Sequence, residues 1–243
     1  MTGKEAHLTL KAVIFDFNGI IIDDEPLHSE LLRKVLEEEA ILLSEDDYLE
    51  FYLGFDDRAC FIEALCNNSR TPDAADDLFI DELVERKSQY YKEAIQSRLS
   101  LFPGVAETIR KTAADYPLAI ASGALREEIE LVLQEAGIRD EFVTIISSED
   151  VSECKPNPEG FLRALEGINA TTGLGIDASE CLVIEDSLPG VEAARAAGMK
   201  CLAVTNSLKR EILQGADEIV STMENVNLKE VFEEIVSRKR AGN

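Results

Sequence analysis

Short, mainly apolar runs recur along this chain, and each is followed directly by a polar residue. They are Ala12–Phe15, Leu118–Ala121, Phe142–Ile146, Cys181–Ile184 and Cys201–Val204. Apolar and polar residues do not alternate within them, which is typical of strands buried on both faces of a parallel sheet. The pattern therefore predicts a sheet that is covered by helices on both sides.

Helical patterns separate these runs in the second half of the chain. They span Leu125–Ala136, Pro158–Leu165 and Pro189–Ala197. Gly137 and Gly198 follow the first and third of these patterns, where a helix that ends in a left-handed residue needs glycine. Strands that alternate with helices at this spacing predict an α/β fold, with a doubly wound (Rossmann-like) parallel sheet as its core.

Residues 23–100 interrupt this alternation with patterns that are helical only. The predicted helices are Pro26–Ala40, Asp46–Cys66 and Asp76–Ser97, with a turn-rich break at Asn67–Asp73. We therefore predict a core made of residues 1–22 and 101–243, with an inserted all-α helical cap at residues 23–100. The sequence Phe102-Pro103-Gly104 marks the return to the core.

The net charge of the chain limits the classes of partner that it is expected to bind. Its 243 residues include 24 Lys and Arg and 48 Asp and Glu, a formal net charge of −24. Such a surface repels nucleic acid and anionic membranes, so neither is expected as a partner. Five cysteines without a C-x-x-C pair argue against zinc. We find neither a long apolar run nor a signal-peptide pattern, and expect a cytoplasmic protein with reduced thiols.

Polar residues with complementary chemistry follow several of the predicted strands. They are Asp16, Asn18, Ser122, Lys155, Glu185 and Asp186. Each one alone is more often a turn former, a helix cap or an exposed side chain. Ligands of open parallel sheets bind at the carboxyl ends of the strands, so residues gathered at this edge predict a functional site.

The acids at this edge suggest phosphoryl transfer. Asp16 offers a carboxylate nucleophile, which divides hydrolysis into an aspartyl-phosphate step and a water step. Glu185 and Asp186 would repel Asp16 unless a cation lay between them. Oxygen ligands and a phosphate substrate point to Mg²⁺.

The remaining residues at the edge suit a phosphate. Ser122 and the N–H groups of Gly123 and Ala124 are expected to open a helix, which is a favourable anion site. Lys155 supplies a compact positive charge for both the phosphate and Asp16.

Four segments, taken in order, resemble the motifs of the haloacid dehalogenase-like superfamily. They are Asp16 to Ile20, Ser122-Gly123, Lys155-Pro156 and Glu185 to Val191. The last segment and the helical insertion resemble the phosphatase and β-phosphoglucomutase branch. The resemblance implies that Asp16 is the nucleophile and that Ser122 and Lys155 bind the phosphoryl group. It also implies that Asp186, the main-chain carbonyl of residue 18 and Glu185, directly or through water, hold Mg²⁺.

Asn18 departs from this family pattern, which has Asp as general acid and base two residues after the nucleophile. An amide can offer a carbonyl and a hydrogen bond, but it cannot release and recover a proton. Slow turnover, replacement by another group and a deliberately altered chain are all compatible with this residue.

The cap is expected to close over the leaving group. Glu25, His28 and Arg58 are the candidate substrate residues, and Gly54 belongs to a loop that resembles the family's substrate-reading loop. Each has an ordinary alternative: His28 as an exposed helix residue, Arg58 as a surface ion-pair partner, and Gly54 as a plain turn.

These features favour a Mg²⁺-dependent phosphatase of a small phosphate monoester, such as a sugar phosphate. A phosphosugar mutase and a phosphate-binding regulatory protein without turnover are the alternatives. A dehalogenase would leave Glu185 and Asp186 without a purpose. We expect the protein to be a monomer or a weak homodimer.

Overall fold

The computed structural model describes residues 8–52, 55–68 and 77–241. Its centre is a six-stranded parallel sheet in the order β3-β2-β1-β4-β5-β6. The strands are β1 (Ala12–Phe15), β2 (Leu118–Ala121), β3 (Phe142–Ile146), β4 (Cys181–Glu185), β5 (Lys200–Val204) and β6 (Glu218–Val220). The predicted doubly wound sheet is confirmed. Sequence analysis missed β6, a three-residue edge strand that is only half-buried.

Helices cover both faces of the sheet and form the insertion between β1 and β2. The helices are α1 (Glu25–Glu38), α2 (Glu45–Phe51), α3 (Asp57–Asn67), α4 (Asp77–Arg98), α5 (Val105–Ala113), α6 (Arg126–Glu135), α7 (Glu159–Thr172), α8 (Leu188–Ala196) and α9 (Leu228–Ala241). Among the described helices, none is both long and apolar enough to cross a membrane.

Successive residues of each strand point to opposite faces of the sheet and enter two different cores. Val13 and Phe15 of β1 pack in the core that includes residues of α5, α6 and α9. Ala12 and Ile14 pack in the core that includes residues of α7 and α8. Both faces are thus buried, which explains why the strands are apolar without alternation.

The inserted helices α1 to α4 have a hydrophobic core of their own, and the all-α nature of the cap is confirmed. The stretch predicted to be helical over Asp46–Cys66 contains two helices, α2 and α3. The side chain of Asp56 accepts a hydrogen bond from the backbone N–H of Ala59 at 2.9 Å and begins a new helix. An N-cap aspartate of this kind is a strong start signal.

The two chain segments that connect core and cap lie side by side. The N–H of Asp23 donates to the carbonyl of Ser100 at 2.8 Å, and Ile22 forms an antiparallel bridge with Leu101. The domain limits at residues 22/23 and 100/101 stay a prediction. Gly54 and most of the predicted Asn67–Asp73 turn lie outside the described residues.

Candidate active site

The carboxyl ends of β1 and β4 meet where the strand order reverses direction. β1 lies between β2 and β4, so connections from the middle of the sheet run to opposite sides. A crevice forms at such a point in open parallel sheets. Asp16 follows β1, while Glu185 ends β4 and Asp186 follows it. The topology therefore brings these three sequence-predicted acids together.

Lys155 joins two of the acids. Its ammonium nitrogen donates to Oδ1 of Asp16 at 2.6 Å and to Oε1 of Glu185 at 2.7 Å. Burial by itself would lower the pKa of Lys155, but the two carboxylates raise it above its ordinary value. Lys155 thus remains a cation beside Asp16.

One lysine does not compensate all the negative charge in this cluster. Asp16, Glu185 and Asp186 each have a carboxylate oxygen within 4.8 Å of the others, and all three residues are buried. The pKa of Asp16 is raised to about 7, mainly by burial; Lys155 opposes this rise and Glu185 adds to it. Burial, Glu185 and Asp16 also raise the pKa of Asp186. A bound cation would relieve the electrostatic repulsion among these three carboxylates.

Glu185 is held by its own loop. Its Oε2 accepts hydrogen bonds from the N–H groups of Asp186 and Ser187, at 2.8 and 2.9 Å, and from the Ser187 hydroxyl at 2.9 Å. Gly190 is required beneath it, because a Cβ there would lie 1.7 Å from Oε1 of Glu185. The Glu-Asp-Ser-x-x-Gly spacing therefore sets the position of this carboxylate.

The residues around Asp186 form a cradle that suits a small hard cation. A Cβ on Gly19 would lie 2.0 Å from Oδ2 of Asp186, so only glycine leaves this space open. Asn206 donates to the carbonyl of Gly19 at 2.6 Å, and the Ser207 hydroxyl donates to Asp186. Buried carboxylates that converge in this way are oxygen ligands of the kind that fit Mg²⁺. Sequence analysis missed Asn206 and Ser207, which no motif marked.

The predicted anion site follows β2, but its helix begins later than expected. α6 starts at Arg126, so Ser122, Gly123 and Ala124 form a turn before the helix. The N–H of Ala124 donates to the Ser122 hydroxyl oxygen at 3.1 Å. Above Gly123 the nearest atom that a Cβ would meet lies 3.7 Å away, so a ligand can approach the backbone there.

Asn18 is engaged by residues of the cap. Its amide nitrogen donates to both carboxylate oxygens of Asp24 and lies 3.2 Å from Nε2 of His28. Asp24 also accepts from the hydroxyl of Tyr91 and contacts His28 at 3.1 Å. Burial would raise the pKa of Asp24, but these partners lower it, so Asp24 remains ionised.

His28 continues this network into the cap. Its Nδ1 lies 2.5 Å from the ammonium of Lys87, which also donates to Asp57 at 2.5 Å. One of the two nitrogens must accept in the contact between them, so His28 and Lys87 do not both carry a full charge. Sequence analysis missed Lys87, a fully buried lysine that helical periodicity alone would place on a surface.

The other cap candidates line the same cleft, which has a volume of about 1150 Å³ and also contains Asp16 and Ser122. Glu25 accepts a hydrogen bond from the Tyr48 hydroxyl at 2.6 Å. Arg58 contacts Asp77 and Asp81, so it has protein partners already.

Known proteins resemble this chain over most of its length. A family model described as haloacid dehalogenase-like hydrolase matches residues 13–204. The chain is 32% identical over 204 residues to the putative phosphatase YhcW of Bacillus subtilis, covering 82% of this chain and 85% of the relative. It is 30% identical over 232 residues to the phosphorylated carbohydrates phosphatase of Thermotoga maritima, covering 92% and 100%.

Two further similarities concern length and fold. The chain is 30% identical over 231 residues to a longer Arabidopsis thaliana protein, the chloroplastic SUPPRESSOR OF QUENCHING 1, and spans 21% of its length. A β-phosphoglucomutase structure from Clostridium difficile superposes with a TM-score of 0.81 at 21% identity, covering 95% of this chain and 99% of that one. At this identity the likeness concerns the fold.

Proposed function

The chain belongs to the haloacid dehalogenase-like hydrolase family, and from that premise we propose that it is a Mg²⁺-dependent phosphatase of a small phosphate monoester. The names of its relatives in Bacillus subtilis and Thermotoga maritima support phosphatase activity in general. The second name also supports a sugar phosphate as the substrate.

The observation that carries this proposal is the position of Asp16. Its carboxylate stands at the end of β1, 2.6 Å from Lys155 and beside Glu185 and Asp186. A carboxylate oxygen attacks phosphorus, and the bond from phosphorus to the alcohol oxygen breaks. Water then attacks the aspartyl-phosphate and releases phosphate, which restores Asp16.

The other residues orient the phosphate and stabilise its charge. Ser122 and the backbone at Gly123 receive its oxygens, and Lys155 compensates negative charge on them. Asp16, Asp186 and the carbonyl of residue 18 would hold Mg²⁺, with Glu185 direct or through water. When bound, the ion supplies Lewis-acid stabilisation of the developing charge.

The leaving oxygen needs a proton that Asn18 cannot supply. The amide of Asn18 is bound to Asp24, so it is also not free to turn toward a substrate without breaking those hydrogen bonds. This arrangement favours a second candidate function, a phosphate-binding regulatory protein that turns over slowly or not at all.

A panel of sugar phosphates and nitrophenyl phosphate, assayed with Mg²⁺, tests the proposal. Several turnovers per protein molecule support a phosphatase, an isomerised product without released phosphate indicates a mutase, and binding without conversion indicates the regulatory protein. Asp16→Asn should remove hydrolysis and trapping by beryllium fluoride while the fold persists. Retained activity in Asp16→Asn would contradict the proposed nucleophile.

A further inference from the structure

The cleft has a wall rich in carboxylates, in addition to the acids around Asp16. Those that line it include Asp56, Asp57, Glu127, Glu128, Glu149 and Glu153. Arg58, Lys87 and Lys92 also line the cleft, but each contacts a carboxylate of the protein. An anionic group on the leaving alcohol would therefore meet excess negative charge.

Glu128 differs from the other carboxylates of this wall in being buried without full pairing. It belongs to the first turn of α6 in the core and faces α4 of the cap, and only 1% of its surface is exposed. Its Oε1 has no hydrogen-bond partner among the described residues. An unpaired buried acceptor is costly, by about 1–3 kcal/mol, so its presence beside a cleft indicates a missing donor.

The surroundings of Glu128 suit a positively charged donor. Burial raises the pKa of Glu128 and Asp57 raises it further, whereas Lys87, His28 and a hydrogen bond with Ser88 lower it. Lys87 is already engaged with His28 and Asp57, through contacts of 2.5 Å each. A ligand cation would both ionise Glu128 and satisfy its free oxygen.

We propose that the cleft selects phosphate monoesters whose alcohol half carries a protonated amine, and that Glu128 binds this amine. The inference rests on the proposed phosphatase function and specifies its substrate class. Amino-sugar phosphates and amino-alcohol phosphates belong to this class. Esters with a second phosphate or a carboxylate are excluded by the acidic wall, because like charges that face each other across a desolvated site are unfavourable.

Matched esters that differ mainly in charge test this specificity. Glucosamine 6-phosphate, glucose 6-phosphate and glucose 1,6-bisphosphate are compared by kcat/KM near neutral pH with Mg²⁺. We expect a preference for the amine over the neutral sugar of about tenfold, the equivalent of one good charged contact. The bisphosphate should be the poorest substrate. Added salt should reduce the differences.

Variants then assign the preference to Glu128. Glu128→Gln keeps the shape of the side chain. It should bring the ratio of kcat/KM for the amine ester to kcat/KM for the neutral ester close to one. Glu135→Gln, on the exposed end of the same helix α6, is the matched control and should keep the parent ratio. An unchanged ratio in Glu128→Gln would overturn the role of this residue.

Nitrophenyl phosphate separates failure of this inference from failure of the proposed function. If nitrophenyl phosphate is hydrolysed and the three sugar phosphates have equal kcat/KM, the specificity inference is overturned while the phosphatase proposal stands. If no ester is hydrolysed, the phosphatase proposal fails, and calorimetric binding of the same three sugars still decides the specificity. Tighter binding of the amine would support the inference, whereas equal binding or no binding would overturn it.

Discussion

The side-chain amide of Asn18 donates hydrogen bonds to both carboxylate oxygens of Asp24, at 3.0 and 3.1 Å. Position 18 thus carries the donor, which is half-buried, and position 24 the acceptor, which is buried. His28 and Tyr91 complete the shell of Asp24. Asn18 is therefore structurally matched to its surroundings, and restoring an acid there affects both the fold and the chemistry.

The single variant Asn18→Asp should be less stable than the parent at neutral pH. It places a second carboxylate where the amide now donates to Asp24, and the buried Asp24 carboxylate loses these hydrogen bonds, at a cost of about 1–3 kcal/mol. Mutual repulsion raises the pKa of one acid, so the loss should diminish as pH falls. Denaturant unfolding at several pH values measures this, and a loss that is equal at acid and neutral pH would contradict the explanation.

The exchange variant Asn18→Asp with Asp24→Asn should recover stability, because the hydrogen bonds reform with donor and acceptor exchanged. It also restores an acid near the leaving oxygen, where general acid catalysis contributes about 10²–10⁴ in rate. We expect the gain for sugar phosphates and little gain for nitrophenyl phosphate, whose leaving group needs no proton. Mass spectrometry must accompany the parent kinetics, since Asn18-Gly19 is prone to deamidation. Equal gains for both substrates would refute this role.

The metal cradle predicts graded effects on Mg²⁺ binding. Asp186→Ala removes a carboxylate and should weaken Mg²⁺ binding strongly, and Glu185→Ala should weaken it less. Ser207→Ala removes only the hydroxyl that donates to Asp186, so a smaller loss of about tenfold or less is expected. Isothermal calorimetry measures binding directly, and chelation should silence the parent enzyme. Activity that survives complete chelation would argue for metal-independent chemistry.

Glu128 predicts a pH-dependent change in stability. Its pKa is raised in the folded protein, mainly by burial, so its ionisation favours the unfolded chain. This cost is absent below the pKa that Glu128 has in the unfolded chain. It grows as pH rises through the pKa that Glu128 has in the folded protein. Glu128→Gln should therefore be more stable than the parent at neutral pH, by about 1.4 kcal/mol for each unit by which folding raises the pKa of Glu128, and the difference should shrink toward acid pH. Thermal melts from acid to neutral pH measure this difference in stability, and a difference that stays constant with pH would disprove the explanation.

The paired linkers predict that the cap moves as one unit. Hydrogen bonds join Asp23 to Ser100 and Phe102 to Ile21, so both linkers must bend together. Residues 23–100 should change their angle to the core when beryllium fluoride and Mg²⁺ bind, as crystal structures or X-ray scattering would detect. Lys92→Gln removes an ion pair to Glu127 across this interface and should favour the open form. An identical cap angle in both states would contradict the hinge.

Local patterns were sufficient for the core of the fold. The strands of the sheet interior are buried on both faces, so their apolar runs and polar ends could be identified without knowing their neighbours. Parallel strands then require their carboxyl ends to share an edge, and Asp16, Lys155, Glu185 and Asp186 could be grouped before any contact was known. The short edge strand β6 was missed because an edge is only partly buried and its pattern is weak.

Only the tertiary structure decided which residues surround that group. Lys87 and Glu128 occupy ordinary helical patterns, and they become buried because α4 packs against α6 and α1. The pairing of Asn18 with Asp24 depends on how the cap meets the core, and that of His28 with Lys87 depends on how α1 packs against α4 within the cap. Sequence periodicity reports which face of an element is apolar, whereas the partner of a buried polar side chain depends on contacts between distant segments. The grouping of Asp16, Glu185 and Asp186 therefore followed from the sequence alone, and the charge of the cleft that surrounds them did not.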